Sequence, residues 1–194
     1  MAMPTPVPLL PDLTRRDWTA ELVNALPDDG NRYEVIDGEL LVTPAPSLVH
    51  QRAVGELYLA VKPYADLHAL DCVVSPAAVT FSLRREVQPD LFVLPTLDGR
   101  FVRSFTDVGR LVLAVEVISP SSSRADRYKK RMLYQSEGVP EYWIVDPEAR
   151  FVERWRQGDE APEVLAASIA WLPHDVAEPL EINLSELFRR VHGE

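Results

Sequence analysis

A glutamate inside an apolar run is the first residue to explain. Glu116 lies in Leu111-Val112-Leu113-Ala114-Val115-Glu116-Val117-Ile118, whose near-continuous hydrophobicity predicts a central β-strand. An ionised carboxylate buried there without a partner is costly. Glu116 must therefore bind a cation, join a hydrogen-bond network, or end the strand beside an arginine. Asp90 follows Pro89 and opens a second apolar run, Leu91-Phe92-Val93-Leu94. If the two strands are neighbours, both carboxylates reach one edge. Two carboxylates with waters suit Mg²⁺ or Mn²⁺, hard ions that take oxygen ligands. For Asp90 the alternative is a turn cap at the strand entry.

A third element follows Glu116. Asp126, Lys130 and Tyr134 are four residues apart and share one face of a helix predicted from about Arg124 to Glu137. Such a pattern can be a solvated ion-pair face. Its position just after Glu116 instead lets the helix overhang the strand's carboxyl end, where open α/β sheets place ligands. Ser121, in the turn at the helix N-terminus, could hold a phosphate. Tyr134 could contact phosphate or pack its ring.

The surrounding elements must hold these groups. Thr14 with Asp17 resembles a capping box opening a helix to about Ala25. Asp37-Gly38, between Tyr33–Ile36 and Glu39–Val42, is a hairpin signal. Ser47 caps a helix running to Pro63. Strands are predicted at Cys72–Val74, Val79–Leu83, Asp90–Leu94 and Glu141–Val145, and a loop runs to Arg110. A terminal hairpin is predicted at Phe151–Arg156 and Val164–Ala167, then a helix at Leu184–Val191. Strand, helix, strand over 111–145 makes a crossover unit. The expected class is α/β: a mixed β-sheet flanked by helices, with N-terminal and C-terminal β-hairpins.

Composition sets bounds. The 194 residues suit one domain over 13–194, after a flexible proline-rich lead at 1–12. Cys72 is the one cysteine, so no internal disulfide forms and the cytoplasm is the expected compartment. The longest apolar run, Leu111–Val115, is too short to span a bilayer. A net charge of −10 argues against a whole-surface nucleic-acid binder, though Arg124, Arg127, Lys129, Lys130 and Arg131 form a local basic cluster and Arg84 and Arg85 a smaller one.

Several segments together resemble the Uma family of restriction endonucleases, within the PD-(D/E)XK nuclease superfamily. They are Tyr33-Glu34-Val35-Ile36-Asp37-Gly38-Glu39-Leu40, Pro46-Ser47 with His50, Gln88-Pro89-Asp90, Val115-Glu116-Val117-Ile118-Ser119-Pro120-Ser121, Asp126 with Lys130 and Tyr134, and Gly138 to Pro147. The resemblance covers about residues 14 to 190 and implies a restriction-endonuclease-like fold. It implies Asp90 and Glu116 as metal ligands, the Val117 carbonyl as a further ligand, and Glu34 as an early helper acid in the metal shell. The alternative for Glu34 is a hairpin-edge carboxylate. The superfamily's lysine position, two residues after the second acid, holds Ile118 here. Lys130 matches a lysine relocated to the following helix. His50 matches a family position, with a capping or surface role as the alternative.

These roles imply a Mg²⁺- or Mn²⁺-dependent endonuclease cleaving DNA phosphodiester bonds. Double-stranded DNA is the expected partner, and a homodimer would cut both strands. Lys130 would orient water, stabilise charge, or, with a lowered pKa, act as base. Asp126 would position Lys130 or approach the metal. Two other readings compete: an inactive DNA- or protein-binding module on the same scaffold, and a hydrolase of small phosphoesters.

Overall fold

The structure, a computed structural model, describes residues 11–119 and 124–194. The elements from the N-terminus are α1 (Ala20–Asn24), β1 (Arg32–Ile36), β2 (Glu39–Thr43), α2 (Leu48–Leu67), β3 (Leu70–Val74), β4 (Val79–Ser82), β5 (Arg85–Val87), β6 (Leu91–Pro95) and β7 (Leu113–Val117). A π-helical segment, Ala125–Lys130, then runs into α3 (Arg131–Ser136). The chain ends with β8 (Glu141–Asp146), β9 (Phe151–Arg156), β10 (Glu163–Leu165), β11 (Ser168–Trp171), β12 (Leu180–Asn183) and α4 (Leu184–His192).

Six strands form the central mixed sheet, in the order β10-β9-β8-β7-β6-β3. Strands β7 and β8 are parallel, joined by the expected crossover through α3, and the other pairs are antiparallel. Side-chain alternation along β7 sends Leu113, Val115 and Val117 to one face, where they pack with α2 and α4. Ala114 and Ile118 face the other way, toward Leu133 and Tyr134 of α3. Glu116 shares that second face. Helices thus cover both faces, as expected for this class.

The N-terminal hairpin belongs to a separate four-stranded sheet, β2-β1-β5-β4. Ile36 pairs with Glu39 across Asp37 and Gly38, which have φ of 52° and 83°. That turn needs left-handed backbone at both central residues, which Asp-Gly supplies. Strand β1 also pairs with β5, which brings β1 over the second face of the main sheet.

Some elements differ from the sequence reading. The first helix begins only at Ala20, with Thr19 as its cap. Thr14 bonds Asp12 instead, and the Trp18 and Ala20 N–H groups donate to the carbonyls of Gly38 and Leu83. Those contacts keep the chain extended before Ala20. Helix α2 continues past Pro63 to Leu67, because Ala65 stays buried and Tyr64 donates to the Glu178 carbonyl. Tertiary packing outweighs the missing proline N–H. Strand β5 and the β11–β12 pair were not expected, and the loop toward Arg110 contains a 3-10 turn at Phe105–Asp107.

Candidate metal centre

Strand register sets the centre. Leu91 of β6 pairs with Val115 of β7, so Asp90, one residue before Leu91, stands opposite Glu116. The two expected carboxylates therefore meet at one edge. Asp90 is almost fully buried, and its Oδ2 accepts the Val117 N–H at 2.9 Å. Glu116 is fully buried.

Lys130 reaches this edge from the crossover helix. Its Nζ lies 2.9 Å from Glu116 Oε1, 2.9 Å from Glu34 Oε1 and 3.6 Å from Asp126 Oδ1. The turn before it is π-helical over six residues, with the Arg131 N–H bonding the Asp126 carbonyl. Such wide turns are found frequently at functional sites. Tyr142 Oη also donates to the Asp126 carbonyl, 3.1 Å away, tying the wide turn to β8. Tyr134 is fully buried beneath the carboxylates and donates to Glu116 Oε1 at 3.0 Å. Glu34 arrives from β1, and its Oε1 also accepts the Gln88 N–H at 2.7 Å.

Two further residues complete the cluster. His50, near the start of α2, is buried and places Nε2 3.1 Å from Asp90 Oδ2. It belongs to the centre, not to the surface. Arg32 was absent from the sequence reading. Its Nη1 donates to Asp90 Oδ1 at 2.7 Å and to the Gln88 carbonyl at 3.0 Å, and its Nε lies 3.9 Å from Glu34 Oε2. The available signal was the Arg32-Tyr33-Glu34 spacing, since residues two apart on a strand share a face. Ser121 lies outside the described residues.

The electrostatics follow from burial against charge. Burial raises the Asp90 pKa, but the hydrogen bond and charge of His50 and the charges of Arg32 and Lys130 outweigh it and bring it to about 2. Burial pushes Glu116 well above the ordinary carboxylate range, against the pull of Lys130 and with the help of the neighbouring carboxylates. Burial alone would lower the Lys130 pKa, yet Glu116, Glu34 and Asp126 raise it instead. Lys130 therefore carries a firm positive charge in this arrangement, contrary to the lowered pKa that a base would need.

The centre can be tested against a divalent ion. Four carboxylates (Glu34, Asp90, Glu116, Asp126) meet two permanent cations, Arg32 and Lys130. The carboxylates outnumber these two cations by two, an excess that a divalent ion would offset. Glu116 Oε2 is buried and accepts no hydrogen bond among the described residues. Both observations fit an ion between Asp90 and Glu116. Among the described residues, no three His, Cys, Asp or Glu side chains are arranged to hold a metal by themselves. Lys130 stands where three of the carboxylates converge, and Arg32 and His50 occupy Asp90.

A cleft of about 750 Å³ opens beside Asp90, lined by Arg32, His50, Gln88, Gln51 and Ser75 among others. The expected basic clusters are largely neutralised within the chain. Arg127 pairs with Glu153 at 2.8 Å, Lys129 with Glu39 at 2.5 Å, and Arg131 stacks over Trp155. Arg85 pairs with Asp37 and Glu137, both at 2.6 Å.

The fold is α/β, with a mixed sheet flanked by helices. It is similar to the crystal structure of a "putative nuclease belonging to DUF820" from Anabaena variabilis ATCC 29413, with a TM-score of 0.67 and 20% identity, over 90% of this chain and 99% of that one. The Uma2 family model, described as "Putative restriction endonuclease", matches residues 20–189, and the chain belongs to that family. No curated protein gives a significant match. Among the described residues, no helix is long and apolar enough to cross a membrane.

Proposed function

We propose that this protein is a divalent-metal-dependent endonuclease that hydrolyses DNA phosphodiester bonds, with residues 13–194 as one catalytic domain. The observation that carries this reading is the buried cluster at the β6–β7 edge, where carboxylates outnumber lysine and arginine side chains and one Mg²⁺ or Mn²⁺ would suit the excess. Asp90 and Glu116 would hold the ion, and the Val117 carbonyl lies in the same strand as Glu116. A bound ion would lower the pKa of a coordinated water and polarise the scissile phosphate.

The chain's own residues supply the rest. Glu34 and Asp126 orient the Lys130 ammonium, which stabilises negative charge developing on the phosphate oxygens. Tyr134 holds Glu116 through Oε1 and leaves Oε2 for the ion. His50 and the Val117 N–H fix the orientation of Asp90. Action on both strands of a duplex would be simplest in a homodimer.

A second reading is an inactive binding module on this scaffold. The Lys130 ammonium among Glu34, Glu116 and Asp126 favours it, because it supplies part of the balancing charge without any metal. The test is cleavage of plasmid DNA with Mg²⁺ or Mn²⁺. The nuclease reading expects cutting that is lost in Asp90→Ala and in Glu116→Ala. Cutting undiminished in the double variant would end the site assignment, and no cutting by a metal-binding wild type would favour the binding module.

A further inference from the structure

Among the described residues, Arg32 is the one lysine or arginine that belongs both to the carboxylate cluster and to the cleft. Its Nη1 is bonded to Asp90 Oδ1 and to the Gln88 carbonyl, while its Nε is buried with no hydrogen-bond partner among the described residues. The same side chain is about one-sixth exposed and lines the cleft with His50, Gln51 and Gln88. Buried carboxylates keep it charged.

The cleft otherwise suits a polyanion poorly. Its lining carries the carboxylates of Asp28 and Asp90 against the single guanidinium of Arg32. Metal binding changes that balance. Asp90 Oδ2 already takes the Val117 N–H and faces His50, so Oδ1 is the oxygen more easily given to an ion. Arg32 is its hydrogen-bond donor, and two cations do not comfortably share one carboxylate oxygen. The guanidinium would then need another anion, and a phosphate in the cleft offers the fork geometry it matches best.

We propose that Arg32 is a substrate-binding residue tied up in the metal-free protein: it neutralises Asp90 until Asp90 takes a divalent ion, and is then freed to grip a strand phosphate in the cleft. This rests on the metal-site reading above. It makes metal binding and substrate binding mutually reinforcing, since each favours the same arrangement of Arg32. The cleft volume is that of a small-ligand pocket. It has room for about one nucleotide, so a single strand is the simplest probe of the contact.

The experiment measures affinity, not turnover. Calorimetry gives the Mn²⁺ affinity of the full chain, and fluorescence anisotropy gives its affinity for a non-cleavable phosphorothioate single strand with and without Mn²⁺. The wild type is expected to bind the strand about 10-fold or more tightly when Mn²⁺ is present. In Arg32→Met, Mn²⁺ binding persists, the enhancement disappears, and the salt slope of strand binding falls by about one. Arg32→Lys restores part of the enhancement. Mn²⁺ binding in both proteins with equal enhancement would overturn the proposal. Absence of Mn²⁺ binding in the wild type would instead overturn the metal-site reading itself. Circular dichroism of Arg32→Met identifies misfolding; if that variant misfolds, Arg32→Gln takes its place and the same two outcomes decide.

Discussion

Lys130 Nζ lies 2.9 Å from Glu116 Oε1, and both groups are buried at the edge of the central sheet. That pair explains how an acidic side chain is tolerated inside an apolar strand. It also links the crossover helix to the strand that precedes it.

Removing the ammonium should be costly. Lys130→Met leaves Glu34, Glu116 and Asp126 together without their shared cation. Losing one partner of a buried pair typically costs about 3 kcal/mol or more. Urea denaturation should show the midpoint falling at unchanged slope, and added Mg²⁺ should restore part of the loss. A midpoint within error of the wild type would contradict the pairing.

Asp90 predicts a specific acid response of the metal-free protein. Its pKa is about 2 in the folded state against an ordinary value of 3.8. A lowered folded pKa gives stability that is present above pH 4 and is lost as pH falls toward 2. The difference amounts to about 2 kcal/mol. Urea midpoints taken with chelator present should fall across this window in the wild type. Asp90→Asn should start lower and change less over the same range.

The Cys72 thiol should be inert. Burial in strand β3 pushes its pKa up to about 12, so almost no thiolate exists at pH 8. A thiol reagent should label it only at the rate of unfolding, with full labelling in denaturant. Rapid native labelling would mean that β3 opens readily.

Gly38 tests the hairpin. At φ 83° an added Cβ would collide with the Arg16 carbonyl and the Arg84 guanidinium. Gly38→Ala should lose about 2 kcal/mol, from left-handed strain together with that clash. Thermal or urea unfolding measures it directly.

Much of the frame was legible because it depends on local chemistry. Asp37-Gly38 announced the β1–β2 turn, and the near-continuous apolar run at 111–118 announced the central strand that carries Glu116. The face shared by Asp126, Lys130 and Tyr134 was also readable, although the π-helical widening was not. What escaped depends on distant contacts. Arg32 reaches Asp90 across 58 positions and His50 reaches it across 40; the spacing that sets Arg32 beside Glu34 says nothing of Asp90. The separation of the N-terminal hairpin into its own sheet depends on β5, a three-residue strand with little pattern. The basic cluster at 124–131 looked available for phosphate because its acidic partners, Glu39 and Glu153, lie far away in sequence.

The most direct measurement is a calorimetric titration of the full chain with Mn²⁺. One ion per chain is predicted, with binding abolished or weakened at least tenfold in Asp90→Ala and in Glu116→Ala. No binding at millimolar Mn²⁺, or binding unchanged in both variants, would contradict a metal centre at this edge.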